Sequence, residues 1–186
     1  MVEASFIFDL PDSAATEALG RALARSFPGA GAGAGAVAGS GSGSGSGSGA
    51  VVHLRGELGS GKTTCARSLL HALGVTAPVR SPTYTLVDTY GVAALTCVHV
   101  DLYRVQTTTE VEELGLRDMT GAGYLMLIEW PEKGGVAVPP PDLVLQLAYK
   151  GDARSAAAGA ASATGKAWLA KLAIDTSLAP YVSNLT

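Results

Sequence analysis

The chain has 186 residues, of which 47% are hydrophobic, so it is long and apolar enough for one domain with a sizeable core. Its net charge of -3 argues against a large nucleic-acid-binding face. Two cysteines, Cys65 and Cys97, are too few for a disulfide framework and are expected as buried free thiols. Because no signal-peptide pattern opens the chain and no run of about 18 apolar residues occurs, we expect a soluble, cytoplasmic protein with no membrane contact.

The N-terminal region predicts a strand followed by an amphipathic helix. Ser5–Phe8 has the composition of a short strand, and either Asp12 or Ser13 can cap the helix. The helix is predicted over residues 12–27, and its apolar face consists of Ala15, Leu19, Ala22, Leu23 and Phe27. Residues 29–49 are almost entirely Gly, Ala and Ser, which is typical of a flexible linker. Since the part before this insert is too short to fold alone, we treat residues 1–186 as a single domain.

A phosphate-binding loop is predicted at Gly56–Thr63, which fits the pattern G-x-x-x-x-G-K-[ST] without a mismatch. A β-branched run, Val51–Arg55, precedes it, and residues 64–73 have the apolar spacing of a helix. Glycines let successive N–H groups form a nest for phosphate oxygens at the positive end of the helix dipole. Lys62 can then reach the β- and γ-phosphates, and the Thr63 hydroxyl can ligate Mg²⁺. The predicted contacts are Gly59, Ser60, Gly61, Lys62, Thr63 and Thr64.

The region after the loop helix predicts a hairpin, further strands and two short helices. Strands are predicted at 83–90, 95–100, 124–128, 142–149 and 153–163, the first two joined by a turn at Gly91. Helices are predicted at 109–114 and 168–172. A hairpin that follows a phosphate loop departs from simple parallel winding.

Two acids follow predicted strands directly: Asp101 follows 95–100, and Glu129 follows 124–128. Open α/β sheets bind ligands at the carboxyl ends of their strands, and a nucleotide enzyme needs an acid there to hold Mg²⁺ or orient a nucleophile. His99 is left out of the catalytic set, because a lone strand histidine is more often structural.

Several neighbours of these acids are open to two interpretations. Trp130 is either a core residue or an exposed aromatic at the site. Thr83 and Thr85 either form a switch segment that meets the γ-phosphate or are ordinary strand threonines. The residues alone therefore predict a Mg²⁺-dependent nucleotide binder without naming its substrate.

Five segments in this order resemble the bacterial TsaE family, the ATPase of tRNA threonylcarbamoyladenosine biosynthesis. They are Gly56–Thr64, Ser81–Val87, His99–Arg104, Glu113–Leu116 and Ile128–Lys133. The loop alone is unspecific, whereas the strings SPTYTLV, HVDLYR and IEWPEK together are specific. The resemblance covers residues 51 to about 154 and the helix at 12–27; the insert at 29–49 departs from the family pattern.

The resemblance implies a P-loop NTPase-like three-layer α/β sandwich with a mixed, partly antiparallel central sheet. It implies a weak ATPase that uses ATP/ADP and Mg²⁺ and supports turnover of the TsaD and TsaB proteins. These modify adenosine 37 of tRNAs that read ANN codons, so tRNA is contacted only indirectly, through the complex.

Roles follow residue by residue from the same resemblance. The implied catalytic residues are Lys62, Asp101 and Glu129, and the implied metal ligands are Thr63 and Glu129. Besides the loop, the residues implied in nucleotide binding are Thr85, Trp130, Thr16 and Arg154.

Other functions fit the loop less well. A P-loop small-molecule kinase, the main alternative, usually carries an arginine-rich lid, whereas Arg104, Arg117 and Arg154 are scattered here. A GTPase is disfavoured because no N-K-x-D string is present. A third possibility is a binding module in which the nucleotide is only a structural ligand.

Overall fold

A computed structural model describes residues 6–29 and 49–183 of the chain. Within these residues the strands are β1 (Phe6–Leu10), β2 (Ala50–Arg55), β3 (Val87–Val92), β4 (Leu95–Asp101), β5 (Tyr124–Glu129), β6 (Leu143–Lys150), β7 (Ala153–Ala160) and β8 (Val182–Ser183). The helices are α1 (Ser13–Ser26), α2 (Lys62–Leu73), α3 (Thr108–Glu113) and α4 (Ala163–Ala173). Short 3₁₀ helices cover Leu116–Met119, Pro131–Lys133, Gly135–Ala137 and Thr176–Tyr181. Most of the predicted insert at 29–49 lies outside the described residues.

The strands form one mixed sheet in the order β3-β4-β5-β2-β6-β7-β1-β8. The four strands β4, β5, β2 and β6 are mutually parallel, and antiparallel strands flank them on both sides. The prediction of a partly antiparallel sheet is therefore confirmed. Strands β2 and β5 lie in the middle of the sheet, which explains their continuous apolar runs.

Helices cover both faces of the sheet, and the result is a three-layer sandwich. On one face α1, α2 and α4 bury a core around Leu19, Phe27, Leu69 and Trp168. On the other face, α3 and the 3₁₀ helices Leu116–Met119 and Gly135–Ala137 cover a smaller core. Both cysteines are buried free thiols, as predicted, and burial raises the pKa of Cys65 to about 12 and of Cys97 to about 11.

The N-terminal elements pack directly onto this frame. Asp12, not Ser13, caps α1 and accepts a hydrogen bond from the Ala15 N–H at 2.8 Å. Helix α1 crosses α2 so closely that a Cβ at Gly20 would lie 2.5 Å from the Cys65 carbonyl oxygen. Within the described part of the chain, no helix has the length and hydropathy to cross a membrane.

Two sequence-based boundaries were wrong around the hairpin. The strand predicted at 83–90 begins only at Val87, because residues 83–85 form a turn in which Leu86 N–H donates to the Pro82 carbonyl at 2.6 Å. The hairpin turn lies at residues 93–94, not at Gly91, and Ala93 adopts a φ of 50° there. The first shift comes from tertiary contacts, since Ser81 and Thr83 donate hydrogen bonds to Asp101 at the end of β4.

The C-terminal elements are longer or shorter than their patterns suggest. The alanine-rich segment forms β7, with Ala156 and Ala158 buried under the layer of α1 and α4, but it ends at Ala160. The last helix, predicted at 168–172, extends over Ala163–Ala173 because Ser162 caps it and accepts from the Gly165 N–H at 3.1 Å.

Candidate functional site

The phosphate-loop sequence forms a glycine loop between β2 and α2. Gly56, Gly59 and Gly61 have φ of 134°, 78° and 104°, the left-handed region that favours glycine. A Cβ at Gly56 would lie 2.1 Å from the Leu147 carbonyl oxygen of β6, so a larger residue cannot occupy this position. Gly61 directly precedes α2, and the loop therefore curls around the N-terminus of a twelve-residue helix.

Lys62 is held at this loop by its own neighbours. Its Nζ donates to the Gly56 and Glu57 carbonyl oxygens at 2.7 and 2.8 Å and lies 3.9 Å from the centroid of the Trp130 ring. Burial lowers the pKa of this amine, while the negative charges of Glu129, Asp101 and Glu132 act in the opposite direction. Nearby carboxylates thus favour the ammonium form of a largely buried lysine.

Thr63 and Glu129 meet across the strand–helix boundary. Thr63 Oγ1, in the first turn of α2, donates to Glu129 Oε2 at 3.0 Å, and Glu129 ends β5 beside β2. A hydroxyl and a carboxylate are the hard oxygen ligands that suit Mg²⁺. Mg²⁺ takes about six oxygens, so two protein ligands fit an ion that also binds phosphate and water.

Asp101 occupies the neighbouring strand end. The parallel register of β4 and β5 pairs Asp101 with Glu129, and both carboxylates are buried on the face that α2 covers. Asp101 Oδ2 accepts from the hydroxyls of Ser81 and Thr83 at 2.5 and 2.9 Å, and its Oδ1 accepts from the Tyr103 N–H at 2.9 Å. Asp101 therefore holds the segment at 81–83 against the site.

Two further predicted site residues, Trp130 and Thr85, have different surroundings. Trp130 is half-buried, with φ of 57°, an unusual conformation for a bulky residue, and its ring lies 5.1 Å from that of Tyr103. Thr85 is exposed and donates to Asp88 at 3.2 Å, so Thr83, not Thr85, contacts the acid of the site.

The remaining predicted contacts flank the loop. Thr16 and Arg154 both face Gly61, where a Cβ would lie 3.2 Å from Thr16 Cγ2 and 3.8 Å from Arg154 Cδ. Arg154 Nε also donates to the Gly59 carbonyl oxygen at 3.3 Å. Thr64 is half-buried on α2. The Ser60 hydroxyl is fully buried without a partner among the described residues.

A groove of about 800 Å³ opens beside the loop, and it contains residues that the sequence did not single out. It is lined in part by Gly56, Glu57, Trp130, Tyr103 and Tyr149. The Tyr149 hydroxyl donates to the Leu58 carbonyl oxygen at 3.0 Å. Nothing in the local sequence marks Tyr149, because its contact joins residues 91 positions apart.

His99, which was left out of the catalytic set as a structural histidine, also lies at the site. Its Nε2 lies 2.9 Å from Glu129 Oε1, and both side chains are buried. One signal was available: His99 lies two residues before Asp101 and therefore on the same face of β4.

Comparisons with known proteins agree with this geometry. A family model described as threonylcarbamoyl adenosine biosynthesis protein TsaE matches residues 10–156. A Haemophilus influenzae protein named tRNA threonylcarbamoyladenosine biosynthesis protein TsaE is 43% identical over 105 residues, which cover 56% of this chain and 66% of that protein. A Synechocystis protein of the same name is 34% identical over 137 residues, which cover 72% of this chain and 74% of that protein.

The alignments differ in how much of each relative they span. The match to the Haemophilus influenzae protein falls just short of two thirds of its length, and a match to a Rickettsia felis protein of the same name spans 57%. The crystal structure of Bacillus subtilis YdiB superposes with a TM-score of 0.63 and 23% identity, covering 93% of this chain and 96% of that one. This likeness supports the P-loop NTPase-like fold. From the match over residues 10–156 and the Synechocystis relative, we conclude that the chain belongs to the TsaE family.

Proposed function

We propose that this chain binds ATP with Mg²⁺ at the glycine loop and hydrolyses it. The observation that carries the proposal is the 3.0 Å contact between Thr63 Oγ1 and Glu129 Oε2. Thr63 directly follows Lys62 in the loop, so the lysine, the hydroxyl and the carboxylate lie together. A phosphate-binding lysine, a hydroxyl and a buried carboxylate at one point are the parts from which P-loop enzymes build a Mg²⁺–triphosphate site. Bound Mg²⁺ would neutralise the charge that develops on the phosphate oxygens.

Each residue of the candidate site has a distinct role in the proposal. With nucleotide bound, Lys62 would exchange the Gly56 and Glu57 carbonyl oxygens for oxygens of the β- and γ-phosphates. Thr63 and Glu129 would hold the metal. Asp101 has hydrogen-bond donors on both oxygens, so we assign it to holding Ser81 and Thr83 near the γ-phosphate.

The biological role that we propose follows from the family. In this proposal the ATPase supports repeated turnover of a complex of TsaD and TsaB, which forms N6-threonylcarbamoyladenosine at position 37 of tRNAs reading ANN codons. The TsaE family match and the relatives' names support it, since they refer to tRNA threonylcarbamoyladenosine biosynthesis. The net charge of -3 supports a tRNA contact made through the partners.

The alternative of a small-molecule kinase receives little support from the arginines. Arg104 stacks on the exposed ring of Tyr84 at 4.1 Å, and Arg117 donates to the Val136 carbonyl oxygen at 2.5 Å. Of these three arginines, Arg154 alone lies beside the loop. A lid that clamps a transferred phosphoryl group requires more than one arginine.

Reconstitution tests the proposal most directly. The chain is mixed with TsaD, TsaB, tRNA and the threonylcarbamoyl donor, with and without ATP, and complex formation, phosphate release and modified adenosine are measured. We expect multiple turnovers only with ATP, and Glu129→Gln should retain ATP binding but lose hydrolysis. A binding module would support the same turnover with a non-hydrolysable ATP analogue, and a kinase would transfer the phosphoryl group instead of releasing phosphate.

A further inference from the structure

His99 is a fully buried titratable residue that the proposed mechanism does not use. It lies on β4, two residues before Asp101, and its Nε2 is 2.9 Å from Glu129 Oε1. Because an ionised carboxylate can only accept hydrogen bonds, the imidazole Nε2–H is the donor.

His99 and Thr63 each bind a different oxygen of the same carboxylate. His99 donates to Oε1 of Glu129 at 2.9 Å, and Thr63 donates to Oε2 at 3.0 Å. Two donors on two oxygens fix both the position and the plane of the carboxylate. A hydrogen bond to a buried charge is stronger than one to a neutral group, so the Glu129 side chain is firmly held.

The surroundings of His99 argue against a purely structural role. Cys97 precedes it on the same face of β4 and belongs to the apolar core, so His99 lies between that core and the Glu129 carboxylate. The Nδ1 atom of His99 is buried and has no partner among the described residues. A half-satisfied buried imidazole costs stability, and such a cost is typical of a position that function constrains.

We propose that His99 is a positioning residue, which turns Glu129 so that Oε2 faces Thr63 and the cation those two residues hold. The inference rests on the proposed Mg²⁺-dependent nucleotide site. Loss of a partner that orients a metal-binding carboxylate typically weakens metal affinity about 10- to 100-fold, and we expect an effect of that size.

Two polar substitutions of His99 test this role. His99→Gln places an amide N–H where Nε2 lies, whereas His99→Asn places it near Nδ1, away from Glu129. The affinity of each full-length protein for a fluorescent ATP analogue is measured in EDTA and across a MgCl₂ series, and thermal unfolding is recorded alongside. The MgCl₂ concentration at half-maximal enhancement is the readout.

We expect that midpoint to rise about 10- to 100-fold in His99→Asn and to stay within about threefold of the wild type in His99→Gln. Affinity in EDTA should stay within about threefold in both variants, because the loop is unchanged. Equal midpoints in all three proteins, or equal shifts in both variants, would overturn the role of His99 and leave the proposed function standing. A wild-type protein without any Mg²⁺ dependence would overturn the proposed function and this inference with it.

A Glu129→Gln background keeps the inference open to refutation if His99→Asn does not fold. There, His99→Leu, which has no donor and should raise the midpoint when Glu129 is present, should leave the remaining Mg²⁺ response unchanged, since no carboxylate is left to orient. A further shift in that background would also overturn the proposed role.

Discussion

His53 should make the stability of the fold depend on pH in a way that can be isolated from all other groups. It lies on β2, on the face opposite α2, and its Nε2 donates to the Pro139 carbonyl oxygen at 2.9 Å. The side chain is 5% exposed, and its Nδ1 has no partner in the described ranges. Burial lowers the pKa of His53 from 6.5 to about 4.

The sign and size of the effect follow from this pKa. Between about pH 6.5 and pH 4 the unfolded chain binds a proton at His53 and the folded chain does not, so the free energy of unfolding falls as the pH is lowered. At about 1.4 kcal/mol per pH unit, His53 costs the folded state about 2 kcal/mol at pH 5 and about 3 kcal/mol at pH 4, relative to neutral pH.

The assay compares the wild type with His53→Gln in urea unfolding experiments at pH 7, 6 and 5. The glutamine amide keeps an N–H near the Pro139 carbonyl but does not titrate, and the carboxylates are common to both proteins. The stability difference between the two proteins should therefore change by about 2 kcal/mol in favour of the variant from pH 7 to pH 5. A difference that stays constant over this range would refute the reasoning.

Three more substitutions have expected outcomes. Lys62→Ala should weaken ATP binding about 10- to 100-fold, because it removes charged hydrogen bonds of about 1.5–3 kcal/mol; unchanged affinity in calorimetry would contradict the loop assignment. Asp101→Ala should keep nucleotide affinity within about threefold but stall multiple-turnover modification in the partner complex, since Ser81 and Thr83 lose their acceptor; normal turnover would contradict that role. Trp168→Phe should lower the free energy of unfolding by about 1–3 kcal/mol in urea titration, because its Nε1–H donates to the Leu23 carbonyl oxygen at 3.0 Å and to Ser26 Oγ at 3.2 Å; a change under about 0.5 kcal/mol would contradict this.

The parts of the site that lie within one strand–loop–helix unit could be predicted from the sequence. The glycine spacing at Gly56–Gly61 and the apolar run that ends at Glu129 are local signals, and both describe the elements that form. The short acidic helix at 109–114 was also predicted, and in the structure a capping box between Thr107 and Glu110 begins it. In each case the physical cause lies within a few residues of the element itself.

The contacts that depend on sheet register could not be predicted. The pairing of His99 with Glu129 requires β4 and β5 to be adjacent and parallel, which no local pattern specifies. Asp101 accepts from Thr83 and not from Thr85 because residues 83–85 form a turn where the pattern predicts a strand. The contact of Tyr149 with the loop likewise depends on β6 lying beside β2.

Helix α1 leads the chain away from the candidate site before the Gly-, Ala- and Ser-rich segment begins. Thr16, near the start of α1, adjoins Gly61, and the remaining ten residues to Ser26 carry the chain about 15 Å away from the loop. Strand β2 begins at Ala50 and reaches the loop only after Arg55, about 20 Å further on. Both ends of the segment between Gly29 and Gly49 are therefore remote from the glycine loop, so a change in the length of this segment should leave the proposed nucleotide site undisturbed.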